Sequence, residues 1–262
     1  MRILETEHLT REFGGVIAVN DVDFHVEKGL VTGLIGPNGA GKTTLFNQIT
    51  GMDKPTSGRI IFDGQDITGL PAWKISRMGI ARTFQNIRLY KELTVVENVM
   101  MGLHFKVGSD PFHHRFSQAI KSYVFASREN REVYRKAMEW LDFFELSEHA
   151  QDFAGSLPYG KQRELEIARA LSAEPKLLFL DEPAAGMNPA ETSHLMGVVD
   201  KIRSLGVTVV LIEHDMKLVM NICDNITVLN FGMKIAEGTP NEIKHDKGVI
   251  EAYLGKDEEE DF

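Results

Sequence analysis

The segment Gly36-Pro-Asn-Gly-Ala-Gly-Lys-Thr-Thr44 constrains the fold more than any other part of this sequence. An apolar run precedes it at residues 31–35, and a helix-compatible run follows it at residues 44–49. Glycines in such a loop let backbone N–H groups turn inward around phosphate oxygens, and the helix N-terminus adds partial positive charge. The segment therefore predicts a strand, a phosphate-binding loop and a helix, although a glycine-rich turn that binds nothing is the alternative.

Each residue type in this loop has a chemical reason to be there. Lys42 can reach the β and γ phosphates of a nucleotide, and the Thr43 hydroxyl can hold Mg²⁺. The residues expected to surround the phosphates are Gly36, Pro37, Asn38, Gly39, Ala40, Gly41, Lys42, Thr43 and Thr44.

Two more apolar runs, at residues 177–180 and 207–212, are typical of strands covered on both faces. Each precedes a helix-like stretch, and this alternation predicts an α/β fold with a parallel sheet. The first ~70 residues instead alternate polar and apolar side chains, which predicts antiparallel strands. Residues 95–146 show no strong strand, and residues 132–146 carry apolar side chains spaced for one helix face. We expect an α/β phosphate-loop core with an N-terminal antiparallel β subdomain and an inserted α-helical subdomain.

A pair of carboxylates follows the second apolar run, in Leu177-Leu-Phe-Leu-Asp181-Glu182-Pro. The carboxyl edge of a parallel sheet is where α/β proteins bind ligands. Asp181 suits a Mg²⁺ ligand, and Glu182 suits a base that orients an attacking water. A helix cap is the alternative for such a pair. His214 follows the third run, where it either donates to a γ-phosphate or plays a structural part.

The segment Leu157-Pro-Tyr-Gly160-Lys161-Gln-Arg precedes a convincing helical pattern. We expect Gly160 to lie just before that helix, where the helix N-terminus can bind an anion. An ordinary start of a helix is the alternative.

Composition narrows the class of partner. The 262 residues carry 29 Lys and Arg against 38 Asp and Glu, a net charge of -9 that argues against nucleic acid as the main partner. The single cysteine, Cys223, excludes an internal disulfide and favours a reducing compartment. No run reaches the ~18 apolar residues needed to span a bilayer, and the first residues do not resemble a secretory signal.

The order of these motifs resembles the ATP-binding subunit of ABC transporters from about residue 3 to residue 255. The resemblance implies a single ATP-binding domain over residues 1–255, with a helical insert at about residues 90–165 and an acidic tail at 256–262. It also implies that Gln85 senses Mg²⁺ and γ-phosphate, that His214 is a switch histidine, and that Phe13 stacks on adenine. The signature segment, which would contact ATP held by a partner chain, comprises Leu157, Pro158, Tyr159, Gly160 and Lys161.

The resemblance implies ATP and Mg²⁺ as cofactors and ATP hydrolysis coupled to transport. The implied partners are a second ATPase chain, identical or paralogous, two membrane permeases and, indirectly, an extracytoplasmic substrate-binding protein, without nucleic acid. The chain would then lie at the cytoplasmic face of the cell membrane. Two rivals remain: a related ATPase acting on ribosomes or DNA, and a nucleotide-binding protein without enzymatic activity.

Four segments are similar to the branch that takes up branched-chain amino acids, although related branches import amides or urea. They begin at Ala81, Glu182, Ile212 and Val249. The signature departs from the usual Leu-Ser-Gly-Gly-Gln, because Pro158 replaces the serine, Tyr159 the first glycine and Lys161 the glutamine. The apolar and aromatic stretch after Gln85 is either core of the insert or a groove for a short permease helix.

Overall fold

The computed structural model describes residues 1–107 and 128–254, in two structural units. One unit comprises Met1–Gln85 and the chain from Lys176 onward, and the other comprises Asn86–Pro175. Residues 109–114, whose sequence predicts a loop between helices, and the acidic tail lie outside the described residues. Within the described ranges, no helix is both long and apolar enough to cross a membrane.

The described strands are β1 (Arg2–Phe13), β2 (Val16–Val22), β3 (His25–Glu27), β4 (Val31–Ile35), β5 (Ser57–Phe62), β6 (Gln65–Asp66), β7 (Ile80–Arg82), β8 (Leu177–Asp181), β9 (Thr208–Ile212), β10 (Asn225–Asn230) and β11 (Met233–Gly238). The described helices are α1 (Lys42–Ile49), α2 (Ala72–Met78), α3 (Val95–Val107), α4 (Arg128–Phe143), α5 (Tyr159–Ser172), α6 (Pro189–Ser204), α7 (Met216–Ile222), α8 (Pro240–Lys244) and α9 (Lys247–Leu254), with short 3-10 turns at Ser147–His149 and Ala154–Ser156.

The described residues of the first unit form two sheets. Among the described residues, β1 pairs antiparallel with β2, β3 and β5 in the N-terminal sheet. The second sheet has the order β11-β10-β4-β9-β8-β7; β10, β4, β9, β8 and β7 run parallel to one another, whereas β11 pairs antiparallel with β10. Every residue of β4, β8 and β9 is buried, which explains their continuous apolar sequences. The predicted α/β core with an antiparallel N-terminal subdomain is confirmed.

The second unit is helical over most of its described length. Helices α3 and α5 approach closely at Gly102, where an added Cβ would lie only 2.3 Å from the carbonyl oxygen of Arg169. Helix α4 ends at Phe143, three residues before the predicted end at residue 146. The reason is local: Glu145 adopts a left-handed φ of 57°, which a continuing helix does not allow.

The single cysteine is part of the packing around the central sheet. Cys223 directly follows α7 and is 7% exposed. Its Sγ lies 3.0 Å from the point where a Cβ on Gly33 of β4 would stand. Glycine at this position therefore makes room for the thiol.

Candidate functional site

The loop at residues 36–41 joins the end of β4 to the start of α1, as the motif predicts. Gly36 and Gly41 have φ values of 148° and 97°, which favour glycine. Neither position has room for a side chain, because an added Cβ would lie 2.0 Å from the carbonyl oxygen of Leu229 or 2.3 Å from that of Ala18. The loop backbone is thus held close to two neighbouring segments.

The Lys42 side chain folds back over this loop. Its Nζ donates to the carbonyl oxygens of Gly36 at 2.6 Å and Pro37 at 3.0 Å. Burial lowers the pKa of Lys42, while the nearby carboxylates of Glu182 and Asp181 oppose that shift. The loop therefore holds a partly desolvated ammonium group beside both carboxylates.

Asp181 ends β8 and is 4% exposed. Its Oδ2 accepts a 2.6 Å hydrogen bond from Nη2 of Arg82. Nη1 of the same guanidinium donates to Oδ1 of Asn47 at 2.6 Å and to Oγ1 of Thr50 at 3.2 Å. Arg82 thereby links the carboxylate to the helix that follows the phosphate loop.

Glu182 lies on strained backbone at the sheet edge. Its φ is 46°, a left-handed value that is uncommon outside glycine and typical of functional positions. The backbone N–H of Glu182 donates to the carbonyl of Ile212 at 3.0 Å, and its Oε2 accepts from Nε2 of Gln85 at 2.8 Å. The structure thus brings two of the predicted site residues into direct contact.

The topology explains why residues far apart in sequence meet. Strands β4, β9, β8 and β7 are parallel neighbours, so their carboxyl ends share one edge of the sheet. The phosphate loop follows β4, the Asp181-Glu182 pair ends β8, and Gln85 follows β7. His214 follows β9 at the same edge.

The His214 side chain is 64% exposed, in contrast to its neighbour Glu213, whose side chain is 1% exposed. Glu213 accepts hydrogen bonds from the backbone N–H of Ala184 at 2.9 Å and of His214 at 3.2 Å. Burial raises the pKa of Glu213, and the Glu182 carboxylate adds to that rise. Glu213 therefore fixes the backbone on both sides of the site while His214 faces outward.

The signature segment belongs to the second unit. Helix α5 begins at Tyr159, so Gly160 is the second residue of the helix. The expectation that Gly160 precedes the helix is wrong. Pro158 occupies the N-cap, where its missing N–H costs nothing, which allows the helix to start early. Leu157 is 5% exposed, Tyr159 is 46% exposed, and Nζ of Lys161 lies 2.8 Å from Nε2 of His149.

Phe13 lies at the end of β1 and is 47% exposed. The guanidinium of Arg11 lies 4.2 Å from the centre of its ring and also binds Asp53 at 2.7 and 2.8 Å. One face of Phe13 is thus covered by a fixed cation, which leaves at most the other face for a base. The adenine-stacking role of Phe13 stays a prediction.

The donor set at the sheet edge suits Mg²⁺. The Thr43 hydroxyl, the Asp181 carboxylate and the Gln85 amide offer the oxygen ligands that this ion prefers. Mg²⁺ is usually held by one or two carboxylates together with substrate phosphates, and a single carboxylate beside a phosphate loop matches that pattern. These residues fit the ion as a companion of bound nucleotide.

Comparison with known proteins agrees with this geometry. The family model described as ABC transporter matches residues 19–185, and the model described as branched-chain amino acid ATP-binding cassette transporter matches residues 233–259. The chain belongs to the ATP-binding cassette family of ABC transporters, whose members bind nucleotide.

Within that family, the relatives include proteins named for one substrate class. The high-affinity branched-chain amino acid transport ATP-binding protein BraF of Pseudomonas aeruginosa is 50% identical, over 97% of this chain and 98% of its own length. The corresponding protein LivG of Escherichia coli K12 is 46% identical over the same shares. The resemblance to this family and branch is confirmed.

Solved structures support the fold independently. The ADP conformation of MJ1267, an ATP-binding cassette of an ABC transporter, matches with a TM-score of 0.83 and 36% identity, covering 98% of this chain and all of that one. A dimeric post-hydrolysis state of the cassette MJ0796, bound to ADP and phosphate, matches with a TM-score of 0.74 and 26% identity, covering 90% and 98%.

Sequence reasoning missed two residues of the site. Arg82 lies in the branch-like segment that begins at Ala81, yet its partner Asp181 is 99 positions away. Glu213 adjoins His214, and only its burial reveals that it organises the backbone. A charged residue inside an otherwise apolar strand–turn segment is the signal that could have drawn attention to both.

Proposed function

We propose that this chain hydrolyses ATP to ADP and phosphate and thereby drives the uptake of branched-chain amino acids through a membrane transporter. The proposal rests on one observation: at one edge of the parallel sheet, Lys42 lies close to Asp181 and to Glu182, which is hydrogen-bonded to Gln85. Each of these groups has a distinct task in phosphoryl transfer.

Hydrolysis needs in-line attack of water on the γ-phosphorus. Glu182 accepts a hydrogen bond from that water and orients it, while Gln85 holds the Glu182 carboxylate in place. Lys42 exchanges its two loop carbonyls for phosphate oxygens, and the loop N–H groups and His214 stabilise the charge that develops. Mg²⁺, held by Thr43, Asp181 and Gln85, would neutralise phosphate charge in the same site.

The signature segment supports a shared site. In our proposal, residues 157–161 of one chain cover the nucleotide held by a second cassette, identical or paralogous. The structural relative that is a dimer is consistent with such a pair. Two permeases would carry the substrate path, a binding protein would deliver substrate outside, and the cassette would sit at the cytoplasmic face of the membrane.

The substrate assignment rests on the relatives. BraF and LivG are named for branched-chain amino acid transport, and they align with nearly the whole chain. An importer of amides, urea or other amino acids uses the same cassette chemistry, and it is the alternative to test against.

The experiment is reconstitution of the whole transporter in lipid vesicles, with the permeases, second cassette and binding protein encoded by neighbouring genes. We expect ATP-dependent uptake of leucine, isoleucine or valine, and no uptake with Lys42→Ala. Urea and short amides serve as competing substrates. ATP hydrolysis without uptake of any branched-chain amino acid, or co-purification with ribosomes in place of permeases, would refute the proposal.

A further inference from the structure

Helix α5 carries a buried ion pair. The Arg163 and Glu166 side chains are 0% and 1% exposed, and Nη1 of Arg163 donates to Oε2 of Glu166 at 2.8 Å. Burial raises the pKa of Glu166 and lowers that of the neighbouring Arg169. Such a pair is costly to desolvate and often contributes little to stability, so stability alone does not explain why this helix carries it.

The second carboxylate oxygen supplies that reason. Oε1 of Glu166 accepts a 2.9 Å hydrogen bond from the backbone N–H of Arg88. One oxygen therefore holds a side chain of the same helix, and the other holds the main chain three residues after Gln85. A hydrogen bond to backbone fixes the position of that segment whatever side chains it carries.

A second buried side chain holds the same segment from helix α3. Asn98 is fully buried; its Oδ1 accepts from the Tyr90 backbone N–H and its Nδ2 donates to the Tyr90 carbonyl, both at 3.0 Å. The Arg169 guanidinium lies 5.6 Å from the centre of the Tyr90 ring. The backbone at residues 88–90 is thus tied to two helices, while Tyr90 itself is 52% exposed. A rigid backbone with an exposed aromatic side chain is suited to receive a partner.

The other end of this network reaches the signature segment. Nη2 of Arg163 donates to the Tyr159 hydroxyl at 3.3 Å. A continuous series of contacts therefore runs from the Arg88 backbone through Glu166 and Arg163 to Tyr159. The usual signature glycine has no hydroxyl for such a contact, so Tyr159 extends the network in this chain.

We propose that Glu166 is a positioning residue that holds residues 88–90 and the signature residue Tyr159 as one rigid body. When a permease helix docks on residues 88–90, the signature moves with them. This inference rests on the proposed function, because it assumes that a permease docks there.

The test compares Glu166→Gln with Glu132→Gln in the same unit. Glu132 pairs with Arg135 at the same spacing of three residues, but both side chains are more than half exposed, so this variant is a matched control. Glu166→Gln leaves one acceptor oxygen for two donors, and the charged Arg163 guanidinium should take it, so that the NH2 group faces the Arg88 amide. In the isolated chain, hydrogen exchange of the Arg88 amide should therefore become about tenfold faster, the factor for one lost bond to a charged acceptor. Nucleotide affinity should not change, since the phosphate loop belongs to the other unit.

In the assembled transporter, Glu166→Gln should lower the stimulation of ATP turnover by the permeases about tenfold, and Glu132→Gln should not. The double variant Arg163→Met with Glu166→Leu separates positioning from stability. Its melting temperature should be close to that of the natural chain, because apolar replacement of a buried pair is often neutral. Its stimulated turnover should stay low, because it offers no acceptor to the Arg88 amide.

Two results would overturn the inference: unchanged exchange of the Arg88 amide in Glu166→Gln, or full permease stimulation in the double variant. The exchange result is obtained on the isolated chain, and stimulation does not depend on which substrate is carried. A failure of amino acid uptake by the natural complex is therefore a separate result, which bears on the proposed function alone.

Discussion

Arg82 and Asp181 form a buried ion pair, with 2.6 Å between Nη2 and Oδ2 and with both side chains less than a tenth exposed. The pair joins the strand that ends in the acidic residues to the helix that follows the phosphate loop, through the bonds from Arg82 to Asn47 and Thr50. The geometry of the phosphate loop relative to Asp181 therefore depends on a residue outside both motifs.

Replacing Arg82 tests this link. Arg82→Met would leave the Asp181 carboxylate buried without its partner, so the free energy of unfolding should fall by about 3–5 kcal/mol. Arg82→Lys keeps the charge but loses the planar guanidinium that reaches Asp181 and Asn47 together. Its urea midpoint should therefore lie between those of the natural chain and Arg82→Met. Urea unfolding of the three proteins measures both effects. A loss below about 1 kcal/mol in Arg82→Met would match a surface ion pair and contradict the link.

Glu182→Gln should retain ATP and lose turnover by ~10²–10⁴-fold, the usual contribution of a positioned base. The amide can still pair with Gln85, but it cannot accept a proton from water. It should also favour an ATP-bound dimer, since closure would no longer be followed by cleavage. Phosphate release and gel filtration with ATP measure these effects, and near-normal turnover would exclude Glu182 as the base.

If the site is shared between two chains, a substitution in the signature should lower ATP turnover by the assembled pair and leave the ATP affinity of the isolated chain unchanged. Gly160→Asp puts a carboxylate where the signature would meet the partner's triphosphate, so like-charge repulsion should lower turnover of the assembled pair by at least about tenfold. A carboxylate in the first turn of α5 suits the helix dipole, but Gly160 is buried, so the melting temperature of isolated Gly160→Asp is measured first to show that the variant folds. The affinity of the isolated chain for ATP should stay the same. Gly160→Ala is the control, and a large loss of affinity in isolated Gly160→Asp would count against a shared site.

Glu213 predicts a dependence of stability on pH. Its pKa in the folded chain is raised above the ordinary 4.5 by burial and by Glu182, while hydrogen bonds from Ala184 and His214 and the His214 charge oppose the rise. Between pH 4.5 and the raised pKa, the folded state therefore binds more protons than the unfolded state. The contribution of Glu213 to stability consequently falls as the pH rises through this window.

The melting temperature of the natural chain minus that of Glu213→Gln isolates this group. The difference should decrease as pH rises through the window, whereas a difference that is constant or increases would show that Glu213 is not protonated more readily in the folded chain.

The sheet edge was predictable because its signals are local. Each apolar run predicted a buried strand, and the polar residues directly after β4 and β8 had to meet once the strands ran parallel. The end of α4 was not predictable, because a glutamate at residue 145 adopts a conformation that sequence patterns associate with glycine.

The partners of buried charges were equally hidden. Arg82 with Asp181 joins positions 99 residues apart, and the contact of Glu166 with the Arg88 backbone joins positions 78 apart. A charged residue next to an apolar segment can draw attention as a buried group, but the sequence does not show which distant residue it contacts, so such pairs become visible only when the helices and strands are packed.

The packing of Cys223 against Gly33 makes this chain a convenient background for site-specific labelling. It is the only cysteine in the sequence, and burial raises its pKa to about 12, so almost no thiolate forms at neutral pH. Maleimide or nitroxide reagents should therefore leave Cys223 unmodified and react with a cysteine introduced at an exposed position such as Tyr90 or Tyr159. Distances between labelled chains during a transport cycle can then be followed without first replacing a residue in the core.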